Sequence, residues 1–251
     1  MWHQHETIVT LSEETHQYHD QYGYEYLSVS ALFKHFHAPF DPDGRILAAT
    51  ARKNGLTVAK QKEVWDNKKY TATDRGTLIH NCLEHFWRTG SSLDPMYEPL
   101  CQAIYKHYAV MHYKGWTVEQ RLFFTNVHLA GTCDLGMERD YKVEGKPVID
   151  IFDYKQNKDG IKFYDPYKKY YYAPIDHLEQ CNYNEYALKL SLYALMAEKT
   201  FNVKVGRLGL IYIPPNDPEA WFEIPVPYMK REVIMMVNHY INAIISVQQE
   251  G

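Results

Sequence analysis

A chain of 251 residues, 45% of them hydrophobic, can bury the core of one large domain or of two small ones. The net charge of −4 excludes a general electrostatic attraction to nucleic acid, so such binding requires a local basic face. No apolar run reaches membrane-spanning length, so we expect no membrane partner.

The N-terminal elements are predicted to be a hairpin and a short helix. Weakly alternating residues Thr7–Leu11, a polar turn and an extended piece at Gln17–His19 favour the hairpin. Ser28 or Ser30 is a candidate cap for the short helix, which stops before Pro39.

Residues 45–69 favour helix, interrupted near Asn54-Gly55. This stretch is mostly basic, opposed by Glu63 and Asp66. Its basic residues are Arg52, Lys53, Lys60, Lys62, Lys68 and Lys69. A solvated helix face and a phosphate-contacting surface are equally good interpretations.

The remaining chain alternates helices and strands. Asp74-Arg75-Gly76-Thr77 is expected to start a helix, and Glu144-Gly145-Lys146-Pro147 is expected to form the loop between two strands. The predicted helices are Leu78–Trp87, Pro95–Tyr113, Cys181–Lys199 and Met229–Val247, and the predicted strands are Trp116–Phe124, the two runs within Ala130–Lys155, Val203–Ile213 and Ala220–Val226. This order predicts one α/β domain over residues 1–251, with a mixed central sheet flanked by helices, an N-terminal helical elaboration (1–73) and a core (74–251).

The cysteines and the N-terminus bear on the compartment. The four cysteines form no C-x-x-C pair and match no zinc or iron–sulfur spacing, so we expect reduced thiols. Residues 1–6 lack the basic and apolar regions of a signal peptide. Both observations favour a cytoplasmic protein.

The two central strands carry candidate metal ligands, Asp134 and Asp153. Lys155 follows Asp153 at a spacing of two, so both side chains lie on one strand face. Mg²⁺ and Mn²⁺ prefer carboxylate and carbonyl oxygens, and the Tyr154 carbonyl lies beside Asp153. A surface strand with a cross-strand ion pair is the alternative, and Asp150 is the rival acid.

Two helices and one strand supply further candidates, and Glu119 on the strand is either an acid near the metal or a solvent-facing residue. His80 and Glu84 share a helix face and suit a metal or its surroundings, although a locally packed histidine is the alternative. Tyr186, Lys189 and Tyr193 form one polar-aromatic stripe, which faces either the core or a phosphate.

The tyrosine-rich segment, Lys162–Tyr172, interleaves rings and lysines. Tyr164, Lys168 and Lys169 are its candidate nucleic-acid contacts, since such composition suits a single-strand platform. An ordinary surface loop has the same composition.

These motifs together resemble the PD-(D/E)XK nuclease superfamily, in particular its RecB-like exonuclease branch. That branch has G-T-x-x-H, G-T-x-D, D/E-x-K and Q-x-x-x-Y in this order. The counterparts are Gly76-Thr77-Leu78-Ile79-His80, Gly131-Thr132-Cys133-Asp134, Asp153-Tyr154-Lys155 and Lys189-Leu190-Ser191-Leu192-Tyr193. Tyr26-Leu27-Ser28-Val29-Ser30 and Pro39-Phe40-Asp41 also look like phage-encoded and mitochondrial genome-maintenance-type exonucleases.

The resemblance implies a restriction-endonuclease-like fold and a role for each matching residue. His80, Asp134, Asp153 and the Tyr154 carbonyl would hold Mg²⁺ or Mn²⁺, and Lys155 would be the catalytic lysine. Lys189 and Tyr193 would line the active site, and we expect Thr132, Glu84 and Tyr186 to contact substrate. Lys189 replaces the usual glutamine. No cysteine follows Cys181, so we expect no iron–sulfur cluster.

The expected activity is metal-dependent DNA exonuclease action on single strands or DNA ends, in recombination, repair or replication. The alternatives are a non-catalytic DNA-end-binding recombination module and a structure-specific endonuclease. A recombination or single-strand-binding protein is an expected partner, and both a monomer and a ring oligomer fit. The resemblance also implies a phage gene in a bacterial host as one source.

Overall fold

The computed structural model describes residues 9–12, 15, 17–37 and 44–249, with side chains given for all of these except 45, 68–74 and 244–249. Its strands are β1 (Val9–Ser12), β2 (Gln17–Asp20), β3 (Glu25–Ser28), β4 (Tyr113–Phe124), β5 (Leu129–Val143), β6 (Lys146–Lys155), β7 (Lys204–Tyr212) and β8 (Phe222–Val226). Its α-helices are α1 (Val29–Phe33), α2 (Arg45–Lys53), α3 (Val58–Thr89), α4 (Glu98–Ala109), α5 (Asn182–Thr200) and α6 (Lys230–Gln249). Single 3₁₀ turns lie at Lys34–Phe36, Pro95–Tyr97, Thr125–Val127 and Pro218–Ala220.

These strands form one eight-stranded mixed sheet around β5. β4 lies antiparallel along one edge of β5. The other edge is shared, because β3 pairs in parallel with its first residues and β6 pairs antiparallel from Leu135 onward. β7 continues in parallel beside β6, and β8 closes the far edge. β5 pairs with β3 up to Ala130 and with β6 from Leu135. Between these two residues β5 and β6 diverge, and we call this opening the fork between β5 and β6.

Helices cover both faces of the sheet, as expected for a mixed α/β fold. On one face α1, α5 and α6 pack over residues such as Ile151 and Leu210. On the other face α3 and α4 pack over Phe152 and Ile211. Each fully buried aliphatic side chain of these two clusters contributes roughly 1.5–3 kcal/mol of transfer free energy. Alternate residues of β6 therefore belong to different cores, which fixes the direction of every side chain along the strand.

The prediction of a mixed sheet flanked by helices is confirmed. The two central strands are also confirmed, but their connection is shorter than predicted. Glu144 (φ 51°) and Gly145 (φ 75°) form the turn, because two left-handed residues match the twist of a tight hairpin. Lys146 and Pro147, predicted as loop, already belong to β6.

The predicted start of a helix at residues 74–78 is wrong. α3 runs unbroken from Val58 through Gly76, since an isolated glycine costs about 1 kcal/mol and does not end a helix. The Thr57 hydroxyl caps its start by accepting from the Lys60 amide at 3.2 Å, and left-handed Gly90 ends it. The boundary between 73 and 74 falls inside this helix.

The N-terminal region contains one more strand than predicted. β3 follows the hairpin directly, and Ser28 then caps α1 by accepting from the Ala31 amide at 3.0 Å. The interruption near Gly55 (φ 66°) is confirmed. Thr7, the stop at Pro39 and the Pro39-Phe40-Asp41 match lie outside the described residues. Within the described ranges, no helix combines the length and apolarity that crossing a bilayer requires.

Candidate active site

The fork between β5 and β6 brings Asp134 and Asp153 together. Leu135 and Phe152 form the last residue pair of the two strands, and beyond it their chains separate. The amide of Tyr154 lies beyond the last backbone pair with β5, and it donates to the side-chain Oδ2 of Asp134 at 2.9 Å. Asp134 is therefore held by the backbone amide of the residue that follows Asp153.

Asp153 and Lys155 lie at the end of β6 on the α5 side of the sheet. Their carboxylate and ammonium groups form an ion pair, and Lys155 Nζ also donates to the Tyr154 carbonyl at 3.1 Å. Burial alone would lower the pKa of Lys155, but the charges of Asp153 and Asp134 outweigh it and raise that pKa. The lysine therefore stays cationic within this cluster.

His80 reaches the same cluster from α3. Its Nε2 lies 3.0 Å from the Tyr154 carbonyl oxygen, and its Nδ1 lies 3.4 Å from Oδ2 of Asp134. Neighbouring Ile79 and Leu83 anchor this part of α3 in the core. The Tyr154 ring packs edge-on against the imidazole, and Trp87 Nε1 donates to the Tyr154 hydroxyl at 2.9 Å. Both ring nitrogens thus face oxygen acceptors.

The electrostatics of this cluster favour a cation. The side chains of Asp134 and Asp153 are only 12% and 15% exposed. Burial and the charge of Asp153 raise the pKa of Asp134 to about 6, although His80 and Lys155 oppose this shift. Two carboxylates this close and this buried are stabilised by a proton or by a metal ion between them.

The donor set suits a hard divalent cation that retains water. No group of three or more His, Cys, Asp or Glu side chains in the described residues is arranged to hold a metal ion by itself. Mg²⁺ is commonly held by one or two carboxylates, with waters and substrate phosphate in the other positions. Asp134, Asp153 and the Tyr154 carbonyl fit that pattern, with His80 alongside.

α5 forms the wall opposite the fork. Lys155 Nζ lies 5.0 Å from the centre of the Tyr186 ring, and Asn157 holds the Tyr186 hydroxyl at 2.9 Å. Burial, and then the charge of Asp153, raise the pKa of Tyr193 well above its ordinary value. The ammonium of Lys189 is paired with Glu185 at 2.7 Å and lies 5.9 Å from the centre of the Phe33 ring.

Gly131 is required by the approach of Tyr193. A Cβ placed on this glycine would lie 2.5 Å from Cε1 of Tyr193 and 2.9 Å from Cγ2 of Val29. No side chain fits between them without moving the ring. The glycine of the G-T-x-D segment therefore sets the position of the tyrosine beside the two acids.

A polar cavity of about 670 Å³ adjoins the cluster on the α3 side. Its lining includes Thr77, His80, Asn81, Glu84, Arg88, Glu119, Arg121 and Asp134. Glu84 is held by Arg88 at 2.5 Å, and Thr132 accepts from Arg121 Nη1 at 3.0 Å. Burial and the charges of Asp134 and Glu84 raise the pKa of Glu119 to about 7.

Arg121, Arg88 and Tyr18 are neighbours of the site that sequence reasoning missed. Tyr18, from the N-terminal hairpin, shares a 2.9 Å hydrogen bond with Thr132. For Arg121, the one signal in the sequence is its spacing of two residues from Glu119 on a predicted strand. No local pattern connects Tyr18 with Thr132, because the two are far apart in the chain.

The remaining sequence candidates lie on β6 and in the connection that follows it. Asp150 is fully buried and is bound by Arg139 at 2.5 Å, by Tyr113 at 2.6 Å and by Arg207. Tyr164, Lys168 and Lys169 are exposed in the connection between β6 and α5. They do not line the polar cavity.

The comparisons with known proteins leave the family open. No protein-family model and no curated protein matches the chain. Among solved structures, the chain is similar to a "Putative exonuclease" from Eubacterium rectale, with 14% identity over 90% of this chain and 82% of that chain. The TM-score of this match is 0.38.

Proposed function

We propose that this protein is a metal-dependent deoxyribonuclease that acts as an exonuclease on single strands or DNA ends. The observation that carries the proposal is the convergence of Asp134, Asp153 and Lys155 with His80 around the Tyr154 carbonyl. Pairs of buried carboxylates with a lysine suit phosphodiester hydrolysis, since the reaction needs a metal, an oriented water and charge neutralisation.

The proposed metal ligands are Asp134, Asp153 and the Tyr154 carbonyl, with His80 as a further ligand or orienting group. When bound, Mg²⁺ or Mn²⁺ would act as a Lewis acid on the scissile phosphate and lower the pKa of a coordinated water. The Tyr154 amide orients Asp134 through its hydrogen bond. Such fixed partners keep a ligand in its productive rotamer.

Lys155 would act as a cation beside the reacting phosphate. In the hydrolysis the water oxygen forms a bond to phosphorus while the bond from phosphorus to the leaving oxygen breaks. The water loses a proton to solvent, and the leaving oxygen gains one. An ammonium held by Asp153 and the Tyr154 carbonyl would orient the water and offset the charge developing on the phosphate.

Exonuclease action, the choice of DNA, and a role in recombination, repair or replication come from the family resemblance and belong to this proposal. A single-strand-binding or recombination protein would be its partner, and the oligomeric state is open to a monomer or a ring. A structure-specific endonuclease is the competing activity, because the same four side chains serve either.

Digestion of end-labelled linear DNA and closed circular DNA, single- and double-stranded, tests the proposal. We expect nucleotides to be released from linear substrates with Mg²⁺ or Mn²⁺ and none with a chelator. Cleavage of closed circles would replace the exonuclease by an endonuclease. Uncut linear DNA under every metal condition would contradict nuclease activity.

A further inference from the structure

The connection between β6 and α5, residues 156–181, is long and firmly held. Its inner side chains Tyr171 and Ile175 are 4% and 0% exposed. Its backbone bonds inward, as in the Tyr171 amide to the Leu178 carbonyl at 3.0 Å and the Gln180 amide to the Lys169 carbonyl at 2.8 Å. A long connection with this much internal order is uncommon and is usually functional.

This ordered connection turns several aromatic rings toward solvent. Tyr164, Tyr167 and Tyr170 are 70%, 81% and 46% exposed. Their backbone is fixed, so rings displayed in this way lose little further freedom when they bind a ligand. Burying them against a flat partner removes a large apolar area from water.

Two exposed lysines supply positive charge beside these rings. Lys168 and Lys169 are exposed, and Lys169 Nζ lies 6.0 Å from the centre of the Tyr167 ring. Asp165 turns back to accept from the Tyr167 amide at 2.7 Å, and Glu179 accepts from the Asp165 amide at 3.0 Å. The lysines thus face solvent while these two acids are bound to the backbone.

We propose that the tyrosine-rich segment is a stacking platform for single-stranded nucleic acid. Unpaired bases present flat faces that stack on tyrosine, and their phosphates suit the two lysines. A duplex hides the faces of its bases, so the platform would select single strands. This inference rests on the proposed nuclease function, to which it adds the class of substrate.

The connection that carries the platform begins beside the candidate active site. Asn157, near the start of the connection, holds the Tyr186 hydroxyl, and the Tyr186 ring lies under Lys155 Nζ. At the end of the tyrosine-rich segment the Tyr172 amide donates to the Phe36 carbonyl at 2.6 Å. The chain that carries the platform is thus fixed to the wall of the site before the platform and to the turn that follows α1 after it.

Binding of a fluorescently labelled oligothymidylate to the full chain, in chelator to prevent cleavage, tests the platform. Tyr164→Ala and Tyr167→Ala are each expected to weaken binding about tenfold. Tyr164→Phe and Tyr167→Phe retain the ring and are expected to bind normally. Tyr141→Ala, which removes an exposed tyrosine from β5, is the matched control and is expected to have no effect.

Two further readouts separate stacking from charge. Exchanging Lys168 and Lys169 for glutamine should reduce the salt dependence of binding by a slope of about 0.7 for each lysine. Duplex binding should change much less than single-strand binding in the alanine variants. Equal losses for alanine and phenylalanine, or for duplex and single strand, would overturn the platform.

Binding and cleavage measured together distinguish a failure of the platform from a failure of the proposed nuclease function. If the wild type cleaves DNA with metal while the tyrosine variants bind single strands normally, the nuclease stands and the platform is wrong. If the wild type never cleaves but binds single strands through these rings, the platform stands as a binding surface and the nuclease is wrong. Binding of the labelled duplex without binding of the labelled single strand would also overturn the platform.

Discussion

The amide of Tyr154 donates a 2.9 Å hydrogen bond to Oδ2 of Asp134 across the fork between β5 and β6. This bond uses an amide of β6 that lies beyond the backbone pairs with β5, and it fixes Asp134 beside the neighbour of Asp153. The same residue offers its carbonyl to His80 and Lys155. The Tyr154 peptide is therefore the common support of the four proposed site residues.

Lys155→Gln separates catalysis from metal binding. Removing the ammonium is expected to lower the cleavage rate by a factor of about 10²–10³, because it offsets charge in the transition state. Manganese affinity, measured by electron paramagnetic resonance, should not fall, since the ammonium competes with a cation for Asp153. Lys142→Gln on exposed β5 is the control. A parallel loss of manganese binding would make Lys155 a structural residue.

The stability of the metal-free protein should depend on the protonation of Asp134. Its pKa is raised to about 6 from the ordinary 3.8, so the folded state holds the proton more tightly than the unfolded state. The stabilising contribution of the protonated acid is complete below about pH 4 and is lost as the pH rises through about 6.

Asp134→Asn should therefore stabilise the protein while inactivating it. At neutral pH in chelator, we expect the free energy of unfolding to rise by on the order of 2 kcal/mol, because the amide is neutral and still accepts from Tyr154. Chemical denaturation across this pH range measures it. Because the pKa of Glu119 is also raised, the free energy of unfolding of the asparagine variant should still fall as the pH rises, but less steeply. A destabilised asparagine variant with a steeper pH profile would contradict this electrostatic account.

Gly131→Ala tests the contact between β5 and α5. The new methyl group would meet Tyr193 at 2.5 Å, and relieving that overlap is expected to cost about 1–3 kcal/mol and to displace the ring. Thermal unfolding and cleavage assays should both report a loss. For thermal unfolding, Gly76→Ala is the matched control, since its methyl group meets nothing within 4 Å and an alanine in a helix stabilises by about 0.5–1 kcal/mol. Equal behaviour of the two variants would refute the contact.

His80→Gln is expected to weaken manganese binding about 10–100-fold, because the imidazole contacts both Asp134 and the Tyr154 carbonyl. The measurement is titration of the metal, independent of DNA. His85→Gln lies further along α3, where His85 bonds to Ser91, and it should bind metal like the wild type. An unaltered affinity in the His80 variant would remove this histidine from the site.

The sequence predicts local periodicity well and long-range neighbours poorly. Asp153 and Lys155 share a face because strand geometry demands it, and four ordered motifs direct attention to His80 and Asp134. The pairing of β3 with β5, by contrast, has no local signal, because four residues before a capped helix look like part of that helix. α3 is longer than predicted because Gly76 lies in a helix whose packing outweighs its propensity.

Side-chain contacts between elements that are distant in the sequence could not be predicted either. The need for glycine at 131 follows from the Tyr193 ring, which comes from another element. The Lys189–Glu185 ion pair is a rotamer choice that the stripe on α5 does not determine. The hydrogen bond that Asp165 accepts from the Tyr167 amide depends on the local turn of the connection, which the composition of the segment does not determine.

The most direct test compares wild type and Asp153→Asn on an end-labelled single-stranded oligonucleotide with Mn²⁺. The exposed Asp140→Asn on β5 serves as the control. We expect the wild type and the control to degrade the strand from an end, and the Asp153 variant to fold normally and leave it intact. Equal digestion by the folded Asp153 variant, or no digestion by the wild type with any divalent metal, would contradict the proposed nuclease site.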